Sequence, residues 1–549
     1  MKKEGNEFLS LLCNLYLVAL LAALPLYTGE GYWELDETKY TLFRNVTFLC
    51  LGCWLAVGIP GRVRAVAEKM RMPGNERRKA LARSFSLVDF AVAAYVACVV
   101  LSALCSSYGQ LAWMGYRGWY MGAFSQILFA GIYFFVSRQY DGAVWPLYLG
   151  EFAFFLVTLF GLLHRLGIDP LGLLVYWTSR DWEYSHMLST LGNINWLCGF
   201  YSVALAFPVV HFLREGRRWV QILLYIVNVS AFVLLAIQGS QGGLLVLAVC
   251  AGVCIFWGRC RPTVLKKTFL QLTGFFLCMP LMEGLMSLQG DKAAIVPDGN
   301  IFAAARWYFW ITGAVVCLIF LVFLREDASS QNSISGSLAL SPGRGKAEKR
   351  GRILASVLIF AGFIAGVALL FLLFWRGIDD SFGSGRGFLW RISIENFKQA
   401  GWKDRLLGAG PESYAEAVFN RLRGNVNVWE GDYWEYAVFT NAHNEMLNHL
   451  CNIGILGAAS YLAIFLTGLY RFGNGQGRKK KERLCGIPGA WVGVLALAMY
   501  GVHSLVSFQQ VLNTPLLFLA LGLCEHEMRN QSREPKAAME EENYEVDEI

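Results

Sequence analysis

Two side chains that could work together chemically, Arg386 and His443, lie in one long polar stretch between apolar runs, from Trp375 to Gly454. A neutral imidazole titrates near pH ~6.5 and can take the proton from an attacking hydroxyl. A guanidinium can stabilise negative charge growing on a departing phosphate. Between them, Arg386, Trp390 and Ile394 fall at i, i+4 and i+8, which predicts an amphipathic helix against the membrane surface. Arg386 would sit near its N-terminus, where the helix dipole already favours an anion. LLGAGPESY reads as a turn, and WEGDYWEYAVF mixes carboxylates with rings in a way that suits sugar binding. NAHNEMLNHL puts His443 and Asn444 at the start of a helix that feeds the next apolar run. The glycines around Arg386 are not a nucleotide fingerprint, because no strand precedes them. The segment has no Asp-x-Asp and no carboxylates at metal spacing, so neither metal nor cofactor is expected.

Three shorter polar loops accompany this segment. In WMGYRGWYMG, Arg117 sits among aromatic rings, either as an interfacial anchor or as a cation for a phosphate or lipid headgroup. In STLGNINWLCGFY, Asn193 and Asn195 occur where loop becomes span, either to cap the helix or to line a polar cavity. GSQGG, with Gln241 at its centre, reads as a tight turn between helices.

These loops need a frame, and composition indicates which. The chain has 549 residues, 55% hydrophobic and 16% charged, against about 25% charged in soluble domains. Apolar runs of roughly 17–23 residues, each able to cross the bilayer, predict an all-α polytopic membrane protein. We place spans near 8–26, 41–60, 87–105, 122–135, 145–164, 195–212, 219–237, 244–257, 268–286, 307–324, 353–375, 455–469, 487–506 and 511–523. That is about twelve to fourteen helices, with residues 376–453 a large extracytoplasmic loop domain and 526–549 an acidic cytoplasmic tail. Lys and Arg fall in alternate loops, most densely from Arg62 to Arg83, which sets both termini inside and every unusual polar loop outside. The net charge of +7 therefore marks topology, not a nucleic-acid partner. Cys50 and Cys53 form a CxxC within an apolar run, with no second pair, and read as packing. The intramembrane ionisable residues Asp89, Glu151, Glu283 and His503 form no spaced relay and read as structural.

Taken together, the loops resemble the O-antigen ligase and polymerase family of bacterial envelope glycan enzymes. Arg117-Gly118 resembles the family's Arg-x-Gly region, shortened by one residue. Gly192-Asn193-Ile194-Asn195 resembles its Gly-Asn-Pro-Asn, with Ile194 for Pro. Arg386, Trp390 and LLGAGP resemble its Arg…Trp…Pro-Leu-Leu-Gly-x-Gly-Pro. His443 with Gly454 matches its His-x10-Gly, the most specific of these. The family's Ser-Arg-Gly-x-x-Leu appears here as Ser240-Gln241-Gly242-Gly243-Leu244-Leu245, so a neutral amide stands where a cation is usual. The resemblance implies a C-type glycosyltransferase-like architecture in the cytoplasmic membrane. It implies a glycan donor on undecaprenyl diphosphate and a glycan, lipid or protein acceptor, with membrane lipids around the chain. Catalysis would rest on His443 as base and Arg386 on the leaving diphosphate, with Arg117, Gln241, Asn193, Asn195, Asn444 and Trp390 binding substrate. A single displacement would invert the anomeric centre without a metal. A repeat-unit polymerase of the same family, or a lipid-linked glycan flippase, remains an alternative.

Overall fold

The computed structural model describes residues 2–71, 73, 85–173, 186–259, 261–290, 306–334, 379–423, 439–474 and 490–546. The expected span at 353–375, the basic stretch 74–84 and nearly all of WEGDYWEYAVF lie outside them. The helices are α1 (Lys2–Val18), which continues through a π turn to Leu26, α2 (Leu35–Met70), α3 (Leu87–Cys105), α4 (Gln110–Met114), α5 (Ala123–Gln139) and α6 (Trp145–Arg165). A small hairpin of β1 (Met187–Leu188) and β2 (Gly192–Asn193) precedes α7 (Ile194–Ala204), α8 (Ala206–Arg214), α9 (Arg218–Ile237), α10 (Gln241–Gly258), α11 (Pro262–Gln289) and α12 (Trp307–Ile334). Then come α13 (Phe382–Gln399), α14 (Trp402–Leu407), α15 (Tyr414–Leu422), α16 (Glu445–Asn474), α17 (Ala490–His503) and α18 (Thr514–Val546).

Ten candidate spans among the described residues are long and apolar enough to cross a membrane. The architecture is that of an all-α polytopic membrane protein. Some boundaries differ from the sequence reading. The second helix does not stop at Pro60 but runs on to Met70, so part of the basic stretch is helical. Gln241 belongs to the first turn of α10, because Ser240, not a later residue, is its N-cap. Helix α16 begins at Glu445 and passes through a break at Gly454, ten residues before the expected span start.

The chain forms two compact units, Met1–Phe154 with Phe388–Ile549, and Phe155–Gly387. In the first, α3 packs on α16, α5 on α18, and α17 on both α16 and α18. One end of this bundle is tied by charge. Asp89 closes a capping box with Ser86, accepts from Tyr133 at 2.8 Å and Arg138 at 3.0 Å, and meets Arg529. Glu525 joins Arg471 on α16 and Arg529 one turn along its own helix, α18. Buried ions cost more than they return unless each is partnered, and here each carboxylate has its cations, so Asp89 has a structural role. Lys39, fully buried, donates to the Leu24 and Pro25 carbonyls at 2.8 and 2.9 Å, satisfying the end of the first helix. Glu283 is only partly buried.

A smaller core lies within the polar segment. Phe388, Ile392, Tyr414, Val418, Leu422, Ala442 and Cys451 bury against one another, with Leu389, Phe439 and Leu447 beside them. Burying each large apolar side chain contributes about 1.5–3 kcal/mol. The buried face of α13 therefore runs through Phe388, Ile392 and Asn396, while Ile394 is 45% exposed. The 386/390/394 face, expected against the membrane surface, is the opposite one; the packing of the Phe388 face on Tyr414 and its neighbours is what sequence spacing alone did not show.

In the second unit α11 packs on α10, α9 and α12. Leu205 separates α7 from α8 within one almost wholly buried candidate span, Ile194–Arg214.

Candidate functional site

The turn LLGAGP is positioned by backbone contacts alone. Ala409 N donates to Cys451 O at 3.0 Å and Gly410 N to Asn452 O at 2.8 Å, so the turn docks on α16 where that helix breaks. The break is Gly454, at φ 67° and ψ −172°, a region open essentially to glycine. A Cβ there would lie 2.3 Å from the Leu406 carbonyl oxygen, and one on Gly408 would lie 2.2 Å from Asn452. Helix α3 holds the same turn: Ser102 donates to Asn452 O and Ser106 to Ala409 O. The glycine eleven residues after His443 thus has a physical purpose, since it lets two backbones touch.

His443 stands at the head of that helix. Its φ of 45° is left-handed, a strained state for a non-glycine residue that persists where the surroundings hold it. Its N–H donates to Asn441 Oδ1 at 3.0 Å. Its ring meets Phe508 edge-on at 4.9 Å, and Trp119 meets Phe508 likewise at 4.8 Å. Asn444 caps α16: Oδ1 accepts from Leu447 N at 3.1 Å, and Nδ2 donates to Leu505 O at 3.0 Å. Its side chain is thereby committed to holding the backbone of its neighbour.

Beside this pair the first unit contains a pocket of about 470 Å³, its open mouth included. Tyr95, Trp119 and Phe508 supply rings, and Glu412, Gln126, Asn448, His449, Asn452 and Gln509 supply polar groups. Glu412 is fully enclosed, at φ 55°, and accepts from Met121 N at 2.5 Å and from the Tyr116 backbone. Burial pushes its pKa well above the ordinary carboxylate range, and those two N–H groups oppose the shift only in part. A Cβ on Gly115 would strike the Glu412 carboxylate, so the loop Gly115–Gly122 needs its glycine to wrap this acid. Arg117, on that loop, is exposed and paired with Glu37 at 2.7 Å and Glu34 at 3.3 Å. Trp390 lies half-buried on α13.

The remaining expected residues gather in the second unit, at two helix starts. Asn193 Oδ1 accepts from Asn195 N at 2.8 Å, which caps α7. Asn195 Oδ1 accepts from the Ser240 hydroxyl at 2.7 Å, joining that cap to the cap of α10, whose next residue is the exposed Gln241. Ser240 is also held by Gln238, whose Oε1 accepts from its N–H at 2.8 Å. Arg386 follows three left-handed residues, Gly383–Gly385, and donates to Gly383 O at 2.7 Å. Burial lowers its pKa from the usual guanidinium value, and the Cys198 thiol nearby on α7 opposes this. Two helix N-termini and a guanidinium beside the first of them are the ingredients of an anion site.

Sequence reasoning missed the pocket's polar lining. One signal was present: Glu445, Asn448, His449 and Asn452 fall at i, i+3, i+4 and i+7 on a helix that becomes a span, a polar stripe where an apolar one belongs. Glu412 and Gln509 carried no such pattern. Compared with known proteins, the chain matches no protein-family model and no curated protein.

Proposed function

We propose that this protein is an O-antigen-ligase-like glycosyltransferase, moving a glycan from undecaprenyl diphosphate to an acceptor hydroxyl at the outer face of the cytoplasmic membrane. The observation that carries this reading is the docking of the LLGAGP turn on the Gly454 break of α16. It sets the LLGAGP turn against the glycine of the His-x10-Gly spacing, the most specific match of the resemblance. His443 takes the acceptor proton as the hydroxyl attacks the anomeric carbon, a role worth about 10²–10⁴-fold. Arg386 stabilises the leaving diphosphate, and the two helix starts in the second unit add N–H dipoles for the same charge. Asn444 positions His443 by fixing the helix start.

A second reading, a lipid-linked glycan flippase, draws on Glu445, His449 and Asn452, which are buried in a candidate span as a transporter's polar residues would be. The test uses purified protein, lipid-linked glycan from its own source and candidate acceptors, with free lipid diphosphate and glycan size as readouts. Lipid release with one discrete acceptor shift, reduced about 10²–10⁴-fold in His443→Ala, is the expected result. A ladder of glycan sizes would make it a polymerase. No release, with the lipid crossing a reconstituted bilayer, would leave the flippase.

A further inference from the structure

None of the six residues of α14 is buried, yet two of them are large and apolar. Trp402 is 79% exposed and Leu406 40%. Such side chains on one short helix need an apolar neighbour that the protein does not supply. The place of the helix says which. Lys403 Nζ donates at 2.5 Å to the carbonyl of Cys105, the last residue of α3 and of a candidate span. Helix α14 also packs on α16, and the turn that follows it docks beside the break at Gly454. It therefore sits where one span ends and the apolar run of another begins. On α3 the exposed residues Phe90, Ala97, Leu101 and Leu104 fall at i, i+7, i+11 and i+14. On α16 the exposed Ile455, Leu462 and Leu466 fall at i, i+7 and i+11. Each set is one apolar stripe along a helix face, as a span turns to lipid. Trp402 and Leu406 stand at the end of both stripes.

We propose that α14 is an in-plane membrane anchor: Trp402 and Leu406 enter the leaflet in which α3 ends, and Lys403 and Arg405 hold the headgroups of anionic phospholipids. Indole is the side chain that bilayer interfaces favour, with its ring among the upper acyl chain and its N–H toward water. The charges fit the same neighbour. Lys403 and Arg405 are exposed, and each gives one N–H to a helix-end carbonyl, Cys105 O and Lys398 O. That pins both cations at the surface with further donors to offer a phosphate. Asp404, the carboxylate of the same turn, is engaged by Arg421, so the exposed side of α14 is cationic. Leu406 and Leu407 are also the first residues of LLGAGP. Lipid contact at α14 thereby sets the depth of the turn that docks on α16.

The anchor rests on α3 and α16 crossing a bilayer and not on the transferase reading, so either can fail alone. The test uses the full chain in nanodiscs of equal parts phosphatidylglycerol and phosphatidylcholine. The photoreactive residue p-benzoylphenylalanine replaces Leu104, Trp402, Leu406 or Ile394 in turn, and adducts formed in light are read by mass spectrometry. Leu104, on the span itself, gives the yield of a lipid-facing position. Trp402 and Leu406 should give lipid adducts in comparable yield, and Ile394, on the unpacked face of α13, should give far less. Adducts at Trp402 should favour phosphatidylglycerol, and Lys403→Gln with Arg405→Gln should cut that preference roughly fivefold or more. Wild-type protein supplies a check free of substitutions: phosphatidylglycerol with a diazirine high on its acyl chain should label peptide 402–407 as well as 101–104. A yield at Trp402 no higher than at Ile394, adducts there to a second copy of the chain, or label on 101–104 without 402–407 would overturn the anchor. Equal yields with the two lipids in protein that keeps Lys403 and Arg405 would overturn the headgroup contacts.

Discussion

The two units hold their polar residues by different means. In the second, Asn193, Asn195, Ser240 and Gln238 satisfy one another at two helix starts and one helix end, an arrangement each helix needs for its own ends. In the first, His443, Glu412 and the amides of α16 are held by a turn, a helix break and a loop far apart in sequence. Caps are cheap and local. Docked backbones with left-handed residues at Glu412 and His443 are strained and global.

The contrast is most directly broken at Gly454. Gly454→Ala should destabilise the protein by at least about 3 kcal/mol, from forced φ and a backbone clash, read as a fall in Tm in detergent. Gly473, on the same helix with open space around it, should tolerate Ala with no loss. An unchanged Tm in Gly454→Ala would remove the docking argument. Next in size, Arg386→Ala should lose a charge-assisted hydrogen bond of about 1.5–3 kcal/mol, seen as a roughly ten- to hundredfold lower transfer rate with Tm little altered. Arg386→Lys should recover part of it, since Lys restores charge but not the planar fork.

A third prediction concerns Glu412. Its folded pKa is raised by burial, so the folded state binds the proton more tightly than the unfolded one. That stability is fully present below the unfolded value of 4.5 and is lost as pH rises toward the folded value, by about 1.4 kcal/mol per pH unit. Urea unfolding from acid to neutral pH should show this decline in wild type and a flatter curve in Glu412→Gln. Equal slopes would mean that the bonds to Met121 and Tyr116 outweigh burial. Smallest is Ser240→Ala, which removes one cap and should cost about 1 kcal/mol. A loss as large as that at Gly454 would show the second unit to be held globally after all.

The helices themselves were legible, because a run of apolar residues long enough to cross hydrocarbon has few other fates. Capping was legible too: Asn193 sits where loop becomes span, and it caps α7. The boundary at Pro60 was not, since proline marks a helix end only in the statistics and α2 carries on to Met70. Nor was the buried face of α13, which depends on what Tyr414 and Val418 present to it.

What the sequence by itself determined is the membrane-spanning helical frame, the helix starts and the presence of His443 and Gly454 at a set spacing, all of which follow from local composition and periodicity. What only the tertiary structure decided is why that spacing matters, and that Glu412, His449, Asn452 and Gln509 meet in one pocket. These residues are separated by up to about a hundred positions, and the partners of Glu412 are backbone N–H groups, which carry no residue type for a sequence to display.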